Sequence, residues 1–423
     1  MSNSRSPSWR ELPSHQAWLS ANVRSLIDFY RPSLSETGRF IELDEDGSPL
    51  RANDDSQELL TVTRLTHSFA LGEMLGIPGC APVVRRGLEA MWNEHRDPDR
   101  GGYFQSVSGG RPHDVTKAAY LHAHVLLAAS SATIAGHDCD ELLHDILGVL
   151  DERFWDDEVG ASRESFSAEW REVEDYRGAN SNMHLCEAYL AAGHATGDAT
   201  YTRRALRIAE LVIGSRAREN DWMLPEHYDG QWRALRDYNR EQLDDPFRPY
   251  GVTIGHLLEW SRLTITLWSC SPPVEDWTRE ASIALFDKAI DQGWDAVRGG
   301  LAYTVDFDGG RANPDKYWWP ITEAIAAAAA LAQITGDEKY ETWYRTFWDY
   351  AAQHLIDFTR GGWYAELDSD NHRKVGPWYG KPDLYHILQC HLLPVLPVSA
   401  SVAGALRDRV RRSSVVGAVV QGE

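Results

Sequence analysis

Six polar or aromatic residues recur along the chain at nearly regular intervals. The intervals are 56, 64, 72, 63 and 67 residues, and they separate Arg64, Tyr120, His184, His256, Trp319 and His386. A single buried histidine more often caps or cross-links helices than reacts. Three imidazoles in phase favour a reactive cavity, because an imidazole with a pKa of about 6.5 exchanges protons readily near neutral pH.

Other polar residues accompany this set at the spacing of one helical face. Asn180, His184 and Glu187 stand at i, i+4 and i+7. Glu259 follows His256 by one helical turn, and Glu323 follows Trp319 in the same way. Because a carboxylate can orient one imidazole nitrogen, we predict that Glu259 orients His256.

The histidine pattern does not predict a metal site. The H-E-x-x-H motif is missing, and the close pairs His122/His124 and His386/His391 have spacings that suit shared coordination poorly. A P-loop, a helix-opening G-x-G-x-x-G and a nucleophile elbow are also absent from the sequence. We therefore do not expect a metal requirement, and the absences count against nucleotide-hydrolysing, dinucleotide-dependent and esterase chemistry.

Alternating helices are predicted to carry these residues. Turn signals recur near Gly76, Gly136, Gly197, Pro272 and Gly336. Amphipathic outer helices are predicted at 14–30, 81–95, 140–153, 199–218, 276–291 and 338–357, and more apolar inner helices at 59–75, 115–131, 180–193, 252–268, 319–334 and 383–393. This alternation indicates an all-α (α/α)6 barrel; an open helical solenoid is the alternative. Closure is favoured because every inner helix carries polar groups at matching positions.

Gly-Gly segments at 100–104, 298–303 and 360–370 predict short β-hairpins at one end of this barrel. No linker or charge block divides the chain, so residues 1–423 are predicted to form one catalytic domain. The tail at 398–423 is predicted to be peripheral.

The composition argues against some classes of binding partner. Lys and Arg total 42 against 63 Asp and Glu, a net charge of −21 that opposes binding to nucleic acid and to anionic membranes. The most apolar stretch, Ala324–Leu331, is too short to span a bilayer, and the N-terminus lacks a signal peptide. Five scattered cysteines favour a reducing cytoplasm. The sequence does not indicate an oligomeric state.

At the polar residues of the inner helices, the sequence resembles the N-acylglucosamine 2-epimerase superfamily, and most closely its aldose–ketose isomerase branch. The resemblance extends from about residue 15 to 395 and is carried by the segments TRLTHSFALG, NSNMHLCEAYL, RPYGVTIGHLLEW, YWWPITEA and KPDLYHILQ. It implies an (α/α)6 barrel and a sugar isomerase or epimerase that needs neither metal nor cofactor. The branch includes D-mannose isomerases and the sulfoquinovose isomerase.

The resemblance also implies roles for individual residues. His386 is similar to the histidine that moves a proton between C2 and C1 of the opened sugar, and His256 to the histidine that opens the ring, although the two roles could be exchanged. Residues similar to those that hold the sugar or stabilise the enediolate are Arg64, Tyr120, Asn180, His184, Arg248, Trp318 and Trp319. Glu259 and Glu323 resemble the carboxylates that orient these groups.

Several activities stay open from the sequence. We expect interconversion of D-mannose and D-fructose, or of related sugars such as D-lyxose and D-xylulose. A sulfosugar substrate is disfavoured because Pro382 and Asp383 stand where a sulfonate would need cationic or amide groups. Leu59 and Leu60 stand where the branch usually has an aromatic residue before Arg64. This departure leaves the identity of the sugar undetermined. The alternatives are a sugar 2-epimerase, an (α/α)6 glycoside hydrolase with two carboxylates, and a non-catalytic binding protein.

Overall fold

The computed structural model describes residues 7–50, 55–270 and 276–409. Twelve helices of this part of the chain alternate between an outer and an inner layer. The outer helices are α1 (Pro13–Phe29), α3 (Cys80–Ala90), α5 (Asp140–Val149), α7 (Ala199–Ala209), α9 (Trp277–Gly293) and α11 (Glu338–Tyr350). The inner helices are α2 (Leu59–Met74), α4 (Ala119–Ala135), α6 (Ala179–Thr196), α8 (Ile254–Cys270), α10 (Trp318–Thr335) and α12 (Leu384–Leu392).

The inner helices form a closed ring. Each packs against the next, and α12 returns to pack against α2. Every inner helix is also covered by an outer one, α12 by α1 and the others by the helix that follows them in sequence. The predicted (α/α)6 barrel is therefore confirmed, and the open solenoid is wrong.

Local sequence explains where the helices end. Gly136, Gly197 and Gly336 follow α4, α6 and α10 with φ angles of 99°, 75° and 67°, a left-handed conformation that glycine adopts without a steric penalty. Gly76 has the same conformation after α2. The predicted turn near Pro272 lies outside the described residues. Four outer helices finish in a π-helical segment, at Met91–His95, Leu150–Phe154, Glu210–Ala217 and Ala351–Leu355.

Short antiparallel strands cover one end of the barrel. The strands are β1 (Ser56–Glu58), β2 (Ser106–Ser108), β3 (Arg111–Asp114), β4 (Lys117–Ala118), β5 (Trp155–Asp156), β6 (Ala161–Ser162), β7 (Ser165–Phe166), β8 (Arg177–Gly178), β9 (His227–Tyr228), β10 (Val252–Thr253), β11 (Thr304–Val305), β12 (Arg311–Asn313), β13 (Lys316–Tyr317) and β14 (Glu366–Leu367). Five of them, β1, β4, β8, β10 and β13, run directly into an inner helix. The N-terminal ends of the inner helices consequently lie at this strand-covered end.

The Gly-Gly segments form turns of one repeated design. In the first, Asp97 accepts hydrogen bonds from the backbone N–H groups of Asp99 and Arg100, and its other oxygen binds the buried Lys117 ammonium at 2.8 Å. In the last, Asp357 pairs with the buried Lys381, also at 2.8 Å. Removing one partner of a buried ion pair costs about 3–5 kcal/mol, so these pairs fix the segments that lead into α4 and α12.

The C-terminal segment is more firmly docked than predicted. Residues 402–409 are helical, and Val402, Ala403, Ala405 and Leu406 are buried. The small apolar side chains of this part of the tail pack onto the barrel, and its peripheral position stays a prediction; residues 410–423 lie outside the described part. All five cysteines are free. In the described residues, no helix is long and apolar enough to cross a membrane.

Candidate active site

The predicted residues converge on a cleft at the strand-covered end of the barrel. Its lining includes Arg64, Tyr120, Asn180, His184, His256, Glu259, Trp318, Trp319 and His386, together with Pro246, Phe247, Trp378 and Asp383. All nine predicted residues in this lining lie within the first six positions of their inner helices. These residues lie at the same depth in inner helices that run parallel to one another, which explains why the intervals between them in the sequence are so regular.

Arg64 is held rigidly on one side of the cleft. Its Nη1 donates to Asp383 Oδ2 at 2.8 Å, its Nη2 to Tyr120 Oη at 2.8 Å, and its Nε to His124 Nε2 at 3.2 Å. Burial opposes the charge, but Tyr120 and Asp383 outweigh it and raise the pKa of the guanidinium. Arg64 is therefore a fixed cation with N–H groups left to bind an oxygen.

Asp383 also joins Arg64 to the last inner helix. Its Oδ1 accepts a hydrogen bond from the backbone N–H of His386 at 3.1 Å, which makes it the N-cap of α12. Pro382 directly precedes this cap. One carboxylate thus positions both the arginine and the backbone of His386.

His386 belongs to a well-ordered imidazole–carboxylate pair. Its Nδ1 donates to Glu323 Oε1 at 3.1 Å, and Glu323 Oε2 accepts from Arg262 Nε at 2.9 Å. Burial raises the pKa of Glu323, but Arg262 and the hydrogen bond from His386 outweigh it, so the pKa falls to about 2. Because the carboxylate is ionised and occupies Nδ1, the Nε2 of His386 is the nitrogen available to the cleft.

Arg262, which sequence reasoning missed, binds three buried carboxylates behind the cleft. Besides Glu323, it donates to Glu187 Oε1 at 3.2 Å and to Glu259 Oε1 at 3.3 Å. The three glutamates come from α6, α8 and α10. Burial and the charge of Glu323 raise the pKa of Glu259 well above its usual range. A buried arginine one turn after Glu259 on an apolar helix was the sequence signal for this network.

His256 faces a different carboxylate from the one predicted. Its Nδ1 lies 3.0 Å from Glu226 Oε2, whereas Glu259 binds Arg262 and lies 4.0 Å from His184 Nδ1. The prediction that Glu259 orients His256 is therefore wrong, because the Glu259 side chain points toward the arginine at the centre of the barrel.

Trp319 lies close to both histidines. Its ring centroid is 5.1 Å from that of His256 and 6.0 Å from that of His386. Gly255 permits this placement, since a Cβ atom there would collide with the indole. The tryptophan gives the cleft a flat apolar surface beside the two imidazoles.

Tyr120, His124 and His184 form a compact group of rings. The centroids of His124 and His184 are 4.7 Å apart, and those of Tyr120 and His184 are 5.0 Å apart. Burial lowers the pKa of both histidines well below the usual value, and neighbouring Arg64 adds to the effect. Burial raises the pKa of Tyr120 to about 12. These groups are neutral and suited to hydrogen bonding with a neutral ligand.

Several buried polar atoms of the cleft have no hydrogen-bond partner among the described residues. They are Asn180 Oδ1, His184 Nδ1, His256 Nδ1, Glu259 Oε2, Trp318 Nε1 and Trp378 Nε1. A buried polar atom without a partner costs about 1–3 kcal/mol. Their collection in one cleft indicates a ligand rich in hydroxyl groups.

Arg248 and Glu323 do not line the cleft. Glu323 stands directly behind His386, as described above. Arg248 is bound by both oxygens of Glu174, at 2.7 and 2.8 Å, and stacks over Tyr176. It lines a cavity of about 560 Å³ that continues into the cleft, and the two share the lining residues Arg64, Tyr120, Asn180, Pro246, Phe247, Trp378 and Asp383. Arg248 therefore lies in the wider part of the same depression and not in the immediate lining of the two histidines.

A metal ion would fit poorly behind this cleft. His184, Glu187 and Glu259 offer ligand atoms within 4.8 Å of one another. Both carboxylates already bind the guanidinium of Arg262. A divalent cation at this point would meet the positive charge of Arg262, so the donor set favours the arginine.

Comparison with known proteins agrees with this geometry. The family model for N-acylglucosamine 2-epimerase (GlcNAc 2-epimerase) matches residues 38–390. The chain belongs to this family. Among curated members, the D-mannose isomerase of Thermobifida fusca is 44% identical over 94% of this chain and 98% of its own length. The D-mannose isomerase of Pseudomonas cannabina pv. alisalensis is 42% identical over 94% and 97%.

Solved structures of family members share the fold. A crystal structure of D-mannose isomerase superposes with a TM-score of 0.85 and 31% identity, covering 91% of this chain and 99% of that one. The cellobiose 2-epimerase of Spirochaeta thermophila reaches a TM-score of 0.78 at 17% identity, covering 94% and 97%, which shows a common architecture.

Proposed function

We propose that this chain is an aldose–ketose isomerase that interconverts D-mannose and D-fructose without a metal ion or cofactor. The observation that carries the proposal is the convergence of two imidazoles, each with a carboxylate at Nδ1, on one cleft beside Trp319. The nearly full-length similarity to D-mannose isomerases supports the choice of sugar.

His386 is assigned the transfer between C2 and C1. In the open-chain aldose, Nε2 of His386 takes the proton from C2, the C2–H electrons form the C1–C2 double bond, and the carbonyl electrons pass to O1 to give a cis-enediolate. A proton then moves from O2 to O1, the O2 electrons form the ketone at C2, and the electrons of the C1–C2 double bond take the proton back from His386 at C1. The ionised Glu323 stabilises the imidazolium that forms between these two steps.

The other side chains support this transfer. Arg64 is placed to stabilise negative charge on the sugar oxygens, while Asn180, His184 and Tyr120 bind hydroxyl groups. His256 is assigned the ring-opening proton transfers, and Trp319 contacts the apolar face of the sugar. The pairing of Arg64 with Asp383 favours an uncharged hexose over an anionic one, because the cation is already neutralised.

A sugar 2-epimerase is the second candidate. Two imidazoles from different inner helices could act on both faces of C2, which is what epimerisation requires. A glycoside hydrolase is disfavoured, because Glu259 and Glu323 are both bound to Arg262 and neither is placed as a free acid beside a second free carboxylate. The free thiols favour a reducing cytoplasm, and the closed ring supports a single catalytic domain.

NMR of a sugar panel in D₂O with EDTA tests the proposal. We expect D-mannose to give D-fructose at an undiminished rate in the chelator, with deuterium entering at the carbon that exchanges. D-glucose formed from D-mannose with deuterium at C2 and little ketose would establish the epimerase instead. No conversion of D-mannose, or conversion only with added metal, would contradict the proposed activity.

A further inference from the structure

We propose that Glu226 is the positioning residue of His256: it directs Nε2 of the imidazole into the cleft and supports the ring when it carries a proton. This inference rests on the proposed function, since it gives His256 a part in the reaction. Neither the sequence pattern nor the resemblance pointed to Glu226, which lies thirty positions before the histidine.

The backbone fixes Glu226 at the strand-covered end of the barrel. The residue immediately precedes β9, whose His227 pairs with Gly178 of β8. Its carbonyl oxygen accepts a hydrogen bond at 2.9 Å from the N–H of Ala179, the first residue of α6. Rigid backbone contacts of this kind give the side chain a defined direction toward α8.

The Glu226 carboxylate is buried, and no lysine or arginine of the described residues forms an ion pair with it. It is 4% exposed, and within this part of the chain its Oε1 has no hydrogen-bond partner. Among the described residues its ion-pair contact is with His256, with 3.0 Å between Oε2 and Nδ1. A buried carboxylate without a cation is costly. A proton on the imidazole of His256 would relieve that cost.

The contact is close but not aligned as a hydrogen bond. His256 Nδ1 counts among the buried atoms without a hydrogen-bond partner, although Glu226 Oε2 lies within reach. A small rotation of the ring is enough to align the N–H with the oxygen. Catalytic hydrogen bonds in ligand-free enzymes are often poorly aligned and tighten when substrate binds. The geometry therefore suits a contact that strengthens as His256 gains a proton.

Other charged or titratable groups also act on His256. His227 and His184 approach it from β9 and α6, and each has its pKa lowered in part by His256. Glu259 lies one turn further along its own helix and is bound to Arg262. Glu226 is the carboxylate whose oxygen is within 3.0 Å of the ring. Its removal should therefore dominate any change in the proton affinity of this site.

The test compares Glu226→Gln, Glu226→Asp and the matched control Glu341→Gln, a substitution of another buried glutamate on the outer helix α11. We expect Glu226→Gln to lower kcat/KM for D-mannose about 10- to 100-fold, mainly through kcat. The acidic limb of the kcat/KM–pH profile should move to lower pH, because loss of the anion weakens proton binding at His256. Glu226→Asp should keep the wild-type limb, and Glu341→Gln should leave the profile unchanged.

A double-mutant cycle separates positioning from a structural role. In the His256→Ala background, Glu226→Gln should lower kcat/KM by less than about threefold, since the group it acts through is gone. Equal effects in both backgrounds, or an unchanged pH profile in Glu226→Gln, would overturn the inference. If wild type converts no sugar, the proposed function fails; if wild type is active and Glu226→Gln matches it, only this inference fails.

Discussion

The two imidazole–carboxylate pairs of the cleft are built differently. His386 donates to Glu323, whose second oxygen is bound by Arg262. His256 lies beside Glu226, whose second oxygen has no hydrogen-bond partner among the described residues. A carboxylate shared with an arginine is held at both oxygens and stays ionised, whereas Glu226 contacts a histidine at one oxygen only. The first pair thus has a fixed orientation, and the second leaves one carboxylate oxygen unrestrained.

Replacing the histidines gives the largest expected effect and tests whether both pairs belong to the reaction. His386→Ala and His256→Ala should each lower kcat by about 10²–10⁴, the usual contribution of a general acid or base. Thermal unfolding should change little, because both rings face the cleft rather than the apolar core. If the assignment of roles is correct, His386→Ala abolishes deuterium exchange at C2. Wild-type rates in either variant would remove that pair from the mechanism.

The pH dependence of stability gives an intermediate effect that is specific to the Glu323 pair. The pKa of Glu323 falls to about 2 in the folded protein, below the unfolded-state value of about 4.5. The ionised carboxylate therefore stabilises the fold fully above pH 4.5. This contribution is lost as the pH falls toward 2. Relative to Glu323→Gln, the wild type should lose about 2 kcal/mol of unfolding free energy between pH 7 and pH 3. Urea titrations at several pH values measure this difference.

An exposed substitution, Glu36→Gln, provides the control for loss of charge alone. It should follow the wild type across the same pH range. A constant difference between wild type and Glu323→Gln would show that Arg262 does not hold Glu323 ionised, and the contrast between the two pairs would then disappear.

The smallest effect is expected at Arg248, which contacts neither pair. Because Glu174 holds both of its nitrogens in the adjoining cavity, Arg248→Met should change kcat/KM for D-mannose by less than about threefold. Steady-state kinetics of the purified Arg248→Met variant measure this change in kcat/KM. A loss comparable to that of a histidine variant would mean that the sugar reaches beyond the cleft, as the resemblance implied for this residue.

Sequence periodicity predicted the parts of the molecule that helical geometry determines. Arg64, His184 and Glu259 each stand sixth in their inner helices, so equal depth in the barrel follows from equal position. The ring closure and the convergence of the histidines follow from the same regularity.

Contacts that depend on loops or on side-chain direction were not predictable in this way. Glu226 reaches His256 through the pairing of β8 with β9, which joins segments distant in sequence. Glu259 has the expected spacing but turns toward Arg262. Arg248 lies in an irregular segment, where the direction of a side chain is not set by a repeat.

The bond between Arg64 and Asp383 has a consequence for how the protein is made. Its partners stand 319 residues apart, on the first and last inner helices. During translation the first helical hairpin leaves the ribosome long before its final neighbour exists, so the cleft stays incomplete until α12 has been synthesised. A nascent chain that stalls before α12 emerges can hold most of the barrel and still have no isomerase activity.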